Sequence, residues 1–419
     1  MALSTGASLI FLSLSVFLVM WILFKYAKLE ERGILTQILA FIGVISLFFN
    51  LFLAETFMFF ENAVMALGVL FCVIAACFFI TKEGWRRYVY SLVFLILGFF
   101  SYQASMAYFI PLIILFSGIK YDWNLKTLAH RTIFSGLLYS AALLTNYFFI
   151  LIVNAGGGRV AGGIDFADNV LRMILAFRRI ISSSLGFTPR FVFFAALAVL
   201  FMIILYKGIK SKRINCLIAC IASFAALAFA AMINHLPMTV FYVHPRSALA
   251  LAGLGGLMII CMALMPRASP NFIAKPVAIA AFAFLMLISV IHIDAQRNSF
   301  ANNLLDRVEI SAIAQGIWTY EERTGITINL LQTIQGRPVM MHRPYFRDYM
   351  DVTVRALSVP WMVHPMISHY MGRMAWPWES ATHIPYSGFL DHVAPFCYEM
   401  KIGENRLFFV EDILYLVIY

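Results

Sequence analysis

The sequence predicts a polytopic α-helical membrane protein with about ten transmembrane helices and a small C-terminal α/β domain. Composition is the first reason. Of the 419 residues 62% are hydrophobic and 12% are charged, whereas a soluble domain carries about a quarter charged residues. The second reason is that 7–23, 57–80, 88–117 and 247–265 carry almost no charge. A helix needs about 20 apolar residues to cross a bilayer, and a lipid-exposed backbone must satisfy its own hydrogen bonds. The alternating segments of a membrane β-barrel are absent from the sequence.

Apolar runs predict the spans 7–24, 35–53, 57–80, 88–100, 103–117, 132–153, 191–206, 214–233, 247–265 and 276–293. The fourth and fifth spans have two interpretations. They form either one long tilted helix or a hairpin that turns at Ser101-Tyr102-Gln103.

Basic residues predict the orientation, because loops rich in Lys and Arg stay in the cytoplasm. Such loops contain Lys25, Lys82, Lys120, Lys207 and Arg267. They alternate along the chain only if 88–117 is a hairpin, so the charge pattern favours the hairpin. The formal net charge of +10 therefore has a topological explanation, and we expect no nucleic-acid partner.

This orientation predicts two domains, a membrane domain over 1–294 and an extracytoplasmic domain over 295–419. It also predicts an N-terminus outside the cytoplasm, although no charged residue precedes the first span. We therefore expect that a helix and a first outer loop are missing before residue 1.

Two predicted outer loops and the C-terminal tail contain recognisable patterns. The loop 154–190 opens with glycines and continues at 168–185 as an amphipathic helix in the membrane interface. No Gly-Lys-Ser/Thr follows the glycines, so they are no P-loop. The tail has a helical pattern at 302–324, β-like stretches at 327–331, 338–341 and 407–410, and a final apolar stretch, 413–419, too short to span a bilayer.

Metal and disulfide chemistry are not expected. Five of the six cysteines fall inside apolar runs, and no CxxC or HExxH spacing is present. This distribution indicates that the cysteines are small core residues. We expect neither a metal nor another cofactor.

Candidate functional residues lie at the predicted outer ends of the spans, since ionisable groups in a membrane are costly and so indicate function. These candidates are Glu55, Tyr102, Gln103, Arg159, Asp165, His244 and Arg246. Most of these residues also have a structural explanation. Glu55 and the nearby Glu61 fit simple placement at the water interface, Tyr102 fits an aromatic belt, and Arg246 fits an interface anchor. Arg159 fits a flexible turn, and Asp165 and Asp168 fit a helix N-cap. Gln103 is the exception, because an amide in an apolar hairpin needs hydrogen-bonding partners.

The segment Leu97-Gly98-Phe99-Phe100-Ser101-Tyr102-Gln103-Ala104 resembles the most recognisable patch of the Gtr-type bacterial O-antigen glucosyltransferases. That family belongs to the GT-C class of polytopic inner-membrane enzymes. Glu55-Thr56-Phe57 and Pro245-Arg246 also open their spans in a similar way. The resemblance covers roughly 35–300 and consists of short motifs.

The resemblance implies a GT-C-like fold in the bacterial inner membrane. It also implies transfer of a hexose, glucose in that family, from a polyprenyl-phosphate carrier to a surface glycan acceptor. Such a transfer needs a carboxylate to deprotonate the acceptor hydroxyl, for which Glu55 and Asp165 are the candidates. It also needs cations that hold the leaving phosphate, for which the candidates are Arg246 together with Arg159 or Arg178. Family members use an acidic residue in the first outer loop. This chain has no large first outer loop and no acidic residue before Glu30, so either that loop is missing or Glu55 or Asp165 has taken its role.

Other functions stay open at this stage. An O-antigen polymerase or ligase would have a larger outer loop rich in Arg and His. A lipid-linked sugar transporter or flippase would have inverted repeats and helices broken at the membrane midplane. A non-catalytic membrane scaffold is a further alternative.

Overall fold

A computed structural model gives the fold. It describes residues 2–50, 52–56, 61–153, 168–172, 174–175, 190–233, 248–265, 271–335, 360–373, 389, 393–402 and 405–418. The chain divides into two compact units, Met1–His292 and Ile293–Tyr419.

The described helices are α1 (Ala2–Ala27), α2 (Ile34–Phe48), α3 (Leu53–Thr56), α4 (Asn62–Thr81), α5 (Gly84–Ser101), α6 (Phe109–Lys120), α7 (Leu125–Val153), α8 (Arg190–Lys210), α9 (Ile214–Ile233), α10 (Leu249–Ala252), α11 (Leu254–Leu264), α12 (Asn271–Thr324) and α13 (Pro360–Tyr370). A 3₁₀ turn, Gln103–Tyr108, precedes α6. The boundary between the two units falls within α12.

Within the described residues, 6 helices are long and apolar enough to cross a membrane. They are Leu3–Ala27, Asn62–Thr81, Gln103–Lys120, Leu125–Val153, Ile214–Ile233 and Ala278–Thr324. Two shorter apolar helices are Ile34–Phe48 and Leu254–Leu264. The predicted count of ten spans stays a prediction.

Apolar side chains cover the outer surface of these helices. On α7, Ile133, Leu137, Phe148 and Ile152 are exposed by 57% or more. They recur at helical spacing and so form one apolar stripe. Water does not tolerate so large an apolar surface, whereas lipid chains do. The first unit is thus a helical membrane protein.

Contacts between α1 and α4 set the helix directions. Ser8 Oγ near the start of α1 donates a hydrogen bond of 2.9 Å to Oδ1 of Asn62 at the start of α4. At their other ends, Lys120 bonds the α4 carbonyl of Ile80 and lies over the α1 ring of Tyr26. The two helices are therefore parallel, with α2 returning between them.

The two shorter apolar helices pack closely through glycines. A Cβ atom on Gly256 of α11 would lie 2.6 Å from the carbonyl oxygen of Gly43 in α2. The C-terminal carbonyls of α11 accept hydrogen bonds from two basic side chains, Arg32 (2.9 Å to Leu264) and Lys207 (3.1 Å to Met262). Cations at a helix C-terminus are favourable because the carbonyls there have no partner within the helix.

Three predicted spans have different ends in the structure. The predicted span 35–53 is wrong at its end, since α2 stops at Phe48 and the chain turns at Asn50 before α3. The span 247–265 is broken at Gly253 between α10 and α11. The predicted span 276–293 and the helical pattern at 302–324 belong to one helix, α12, so their separation is wrong.

The second unit contains a four-stranded sheet with strand order β1-β4-β3-β2. The strands are β1 (Leu330–Gln335), β2 (Tyr398–Ile402), β3 (Asn405–Val410) and β4 (Ile413–Ile418). β4 is parallel to β1 and antiparallel to β3. One face packs on Ile310, Ile313 and Ile317 of α12 and on Val363 and Ile367 of α13.

The predicted strand at 407–410 is confirmed as part of β3. The stretch 327–331 overlaps β1 only at its end, because the strand begins at Leu330. The apolar stretch 413–419 is explained by β4, a central strand whose Leu414, Leu416 and Val417 are fully buried. The stretch 338–341 lies outside the described residues.

Candidate functional site

The chain reverses at Tyr102, as the hairpin interpretation predicts. Ser91 Oγ of α5 donates to the α4 carbonyl of Ala75 at 2.9 Å, and Phe94 packs against the ring of Phe71 further back along α4. α5 is therefore antiparallel to α4.

The return leg runs parallel to α4. Ser105 Oγ donates to the carbonyl of Met65 at 3.0 Å near the start of α4, and Lys120 Nζ donates to that of Ile80 at 2.6 Å near its end. Tyr102 and Gln103 therefore form the tip of a helical hairpin, at the end of the unit where α4 begins. We call this the amide end, for the amide side chains described below.

Two glycines permit this close turn. A Cβ atom on Gly98 would lie 2.4 Å from the Met106 side chain, which crosses over it. A Cβ atom on Gly68 of α4 would lie 3.3 Å from Cβ of Tyr102. The glycine that precedes Tyr-Gln-Ala in the sequence thus leaves room for the Met106 thioether at the tip.

Gln103 has a hydrogen-bonding partner in α7. Its Nε2 donates to Oδ1 of Asn146 at 2.6 Å. Asn146 Nδ2 in turn donates to the carbonyl of Phe99 at 3.3 Å, which lies in the last turn of α5 and has no partner within that helix. Asn146 is 4% exposed, so the pair joins α5, the tip and α7 through a buried amide bridge.

A second amide, Asn50, is fully buried where α2 ends. Its Nδ2 lies 3.0 Å from the carbonyl oxygen of Leu47 and 3.1 Å from both the Tyr108 hydroxyl and the carbonyl oxygen of Leu249. Its own carbonyl accepts a hydrogen bond of 2.6 Å from His292 Nε2. These bonds join α2, the 3₁₀ turn, the start of α10 and α12.

Asn50 also begins α3, since its carbonyl oxygen accepts the backbone N–H of Leu53 at 3.1 Å. α3 carries Glu55. The start of α10, bonded through Leu249, follows His244 and Arg246 in the sequence by only a few residues. Asn50 and Tyr108 therefore join the start of α3, the start of α10 and the 3₁₀ turn that begins at Gln103.

A third amide, Asn62, joins the starts of α1 and α4. Its Oδ1 accepts hydrogen bonds from Ser4 Oγ and from Ser8 Oγ, and its Nδ2 donates to Thr5 Oγ1 at 3.2 Å. Interhelical hydrogen bonds of this kind stabilise helix pairs in lipid.

The predicted site residues divide into two groups. Tyr102 and Gln103 lie at the hairpin tip, both half-buried. Glu55 lies on α3, and only its backbone belongs to the described residues. Asp165, Arg159, His244 and Arg246 lie outside the described residues. Asp168, predicted as a helix N-cap, lies in a helical segment and pairs with Arg172 at 2.6 Å.

Asn50, Asn146 and His292 were not among the predicted functional residues. Asn50 and Asn146 interrupt apolar runs, which is the same signal that singled out Gln103, and this signal could have found them. No group of three or more metal-ligating side chains occurs among the residues that the structure describes.

The fold and the amide end define a helical membrane protein with a polar, hydrogen-bonded end and a small C-terminal sheet. No protein-family model, curated protein or solved structure matches this chain.

Proposed function

We propose that this chain is a membrane glycosyltransferase of the Gtr type. It moves a hexose, glucose by the resemblance, from a polyprenyl-phosphate carrier to a surface glycan such as O-antigen. One observation carries the proposal. The end of the 3₁₀ turn that follows the Tyr102-Gln103 tip, the start of α3, which carries Glu55, and the start of α10 are joined by hydrogen bonds around Asn50 and Tyr108. The first two adjoin or carry motifs of the family resemblance. The third motif, Pro245-Arg246, precedes α10 in the sequence and lies outside the described residues.

The proposed chemistry assigns a role to each residue type. Glu55 or Asp165 deprotonates the attacking hydroxyl of the acceptor. Arg246 and Arg159 hold the phosphate that leaves from the sugar, through charge-assisted hydrogen bonds. Tyr102, Gln103 and His244 bind the sugar and its carrier. No metal takes part in this scheme.

The proposed site faces the outside of a bacterial inner membrane. The basic loops at the other end of the helices favour a cytoplasmic location for that end, so the amide end and the C-terminal unit lie outside. A lipid-linked donor and a surface glycan meet on that side.

The position of two of the amides, Gln103 and Asn62, also bears on the alternatives. Transport by alternating access needs a site near the bilayer midplane that opens to both sides. Gln103 and Asn62 lie at the end of the membrane unit where α4 begins, which favours chemistry on one face of the membrane. Asn50 lies deeper, because it bonds Tyr108 of the 3₁₀ turn, and the Met106 carbonyl of that turn accepts a hydrogen bond from Cys72 in the middle of α4. A polymerase or ligase also works on one face of the membrane, and its product distinguishes it from a hexose transferase.

The test is hexose transfer by the full chain in proteoliposomes, from a radiolabelled polyprenyl-phosphate glucose to lipopolysaccharide. We expect Glu55→Gln or Asp165→Asn, whichever is the base, to lower turnover by about 100-fold or more. We expect Arg246→Gln to raise the donor KM and lower turnover, since one charge-assisted contact to phosphate is lost.

Glu30→Gln is the matched control, because Glu30 is an exposed carboxylate at the opposite end of the helices. It should leave transfer unchanged. Equal activity in the Glu55, Asp165 and Arg246 variants would refute the site. Polymerised glycan in place of single hexose addition would favour the polymerase alternative.

A further inference from the structure

Four cations gather at the end of the membrane unit opposite the amide end, where α1, α4 and α6 finish and α5 and α7 begin. They are Lys25, Arg87, Lys120 and Arg131, and they share aromatic rings. Lys25 and Lys120 lie 5.5 Å and 5.2 Å from the Tyr26 ring, Lys120 and Arg131 lie 5.5 Å and 5.3 Å from the Tyr121 ring, and Arg87 and Arg131 lie 5.9 Å and 6.0 Å from the Phe79 ring. We call these four residues the basic cluster.

The hydrogen bonds of the basic cluster go to neutral oxygens. Lys120 Nζ donates to the carbonyl of Ile80 at 2.6 Å. Arg87 Nε and Nη2 donate to the carbonyl of Lys82 at 3.0 Å and 2.8 Å. Arg131 Nη2 donates to the Tyr121 hydroxyl at 3.0 Å. These contacts cap the end of α4 and hold the cations in place, but they neutralise no charge.

Carboxylates are scarce around the basic cluster. None of its four members takes part in the ion pairs found among the described residues. Glu83 is the carboxylate that interacts electrostatically with Lys120, whereas Arg87 and Lys25 repel it. Arg87 is only 7% exposed, so water screens its charge poorly.

Cations held together in this way favour an anion with several acceptor oxygens. Lysine has three N–H donors and arginine has five, so each hydrogen-bonded member keeps donors that the contacts above do not use. Phosphate suits this arrangement, because its oxygens accept charge-assisted hydrogen bonds from both Lys and Arg.

The position of the cluster identifies the source of the phosphate. Trp21 and Trp85 flank it and are 40% and 67% exposed, as expected of aromatic residues at the level of the lipid headgroups. Anionic lipids of the cytoplasmic leaflet attract basic residues at helix ends. We propose that the basic cluster binds the headgroup phosphate of an anionic phospholipid. This inference does not depend on the proposed glycosyl transfer.

The experiment uses the full chain in nanodiscs and measures bound lipid by native mass spectrometry. Phosphatidylglycerol is titrated into a phosphatidylcholine background. We expect phosphatidylglycerol to be retained in preference to phosphatidylcholine. Lys120→Gln combined with Arg131→Gln should weaken its binding by about 25-fold, because two cations are removed.

Two further variants make the result interpretable. Lys25→Gln removes an exposed cation with little risk to folding, and it should weaken binding by about fivefold. Lys210→Gln is the control, because Lys210 is an exposed lysine that lies over a single ring, Tyr206, at 5.3 Å. It should leave binding unchanged.

Three results would overturn the proposal. The first is equal retention of phosphatidylglycerol and phosphatidylcholine by the unaltered chain. The second is an equal loss of binding in the Lys25 variant and the Lys210 control. The third is displacement of phosphatidylglycerol by inorganic phosphate at millimolar concentration, since this would assign the cluster to a soluble anion instead of a lipid.

Discussion

Buried amides are the residues that organise the membrane unit. Gln103, Asn50 and Asn62 each join helices that are distant in sequence, and each has its partners within hydrogen-bonding distance. An unsatisfied amide in an apolar environment is costly, so the sequence predicts that Gln103 has a partner. It does not predict which one, because Asn146 lies on another helix and is one of several polar residues within reach of a hairpin tip.

The bond between Gln103 and Asn146 can be measured by a double-mutant cycle. We expect Gln103→Ala and Asn146→Ala each to lower the free energy of unfolding in detergent, with a coupling energy of about 0.5 to 1.5 kcal/mol. Thr145→Ala is the control, because the Thr145 hydroxyl is exposed and donates within its own helix, to the carbonyl of Ala141. Additive effects of the two substitutions would contradict the bridge.

We expect His364 to make the second unit sensitive to acid. It is 1% exposed, and neither ring nitrogen has a hydrogen-bond partner among the described residues. Burial lowers the pKa of His364 below its usual value of 6.5. As the pH falls below that value, the unfolded chain takes up a proton that the folded chain does not, and the second unit loses stability.

We expect His364→Leu to remove this loss, because leucine fills the same apolar environment and does not titrate. The measurement is hydrogen exchange of β4 in the full chain at pH 7 and pH 5.5, corrected for the intrinsic exchange rate. His369→Leu is the matched control, since His369 is exposed on the same helix. Equal acid sensitivity in both variants would refute the role of His364.

At the scale of the elements, apolar runs predict that helices exist, and hydrogen bonds decide where they end. α2 stops at Phe48 although the apolar run continues, because the Asn50 side chain bonds the carbonyl of Leu47. β4 is an apolar stretch of 6 residues, and its composition alone distinguishes poorly between a central strand and part of a helix. Its pairing with β1 and β3 identifies it as a central strand, and the local sequence of β4 does not reveal these partners.

The crossing of α2 and α11 depends on backbone contact at Gly256. A Cβ atom there would lie 2.3 Å from the backbone nitrogen of Leu47, and a backbone atom cannot move aside as a side chain can. We expect Gly256→Ala to lower the free energy of unfolding by about 1 to 3 kcal/mol. The measurement is the Tm of the purified chain in one detergent.

Gly136→Ala is the matched control for that substitution. A Cβ atom on Gly136, inside α7, would meet nothing within 4 Å. Because alanine is the better helix former by about 0.8 to 1.0 kcal/mol, this variant should be as stable as the unaltered chain or more so. A lower Tm for Gly136→Ala than for Gly256→Ala would contradict the packing argument.

At the scale of the whole molecule, charge and hydropathy predict much of the architecture. Basic loops that alternate along the chain predicted the reversal at Tyr102, and the contacts of Ser91 and Ser105 with α4 agree with it. The junction of α3, the 3₁₀ turn and α10 could not be predicted. It depends on Asn50 and Tyr108, which are 58 positions apart in the sequence and carry no recognisable motif.

The different residues at the two ends of the membrane unit predict its orientation. We expect the end with the basic cluster to lie in the cytoplasm, and by the direction of α4 we then expect Glu61 to lie outside. Single cysteines test this in a Cys397→Ser background, where the remaining native cysteines are all buried. Glu61→Cys and Lys126→Cys replace exposed residues at opposite ends of the unit. We expect a membrane-impermeant maleimide to label Glu61→Cys once it has access to the outer face of the inner membrane. Lys126→Cys should react only after that membrane is lysed.

The reverse pattern would invert the orientation and place the amide end in the cytoplasm. Labelling of both positions from one side would contradict the crossing itself.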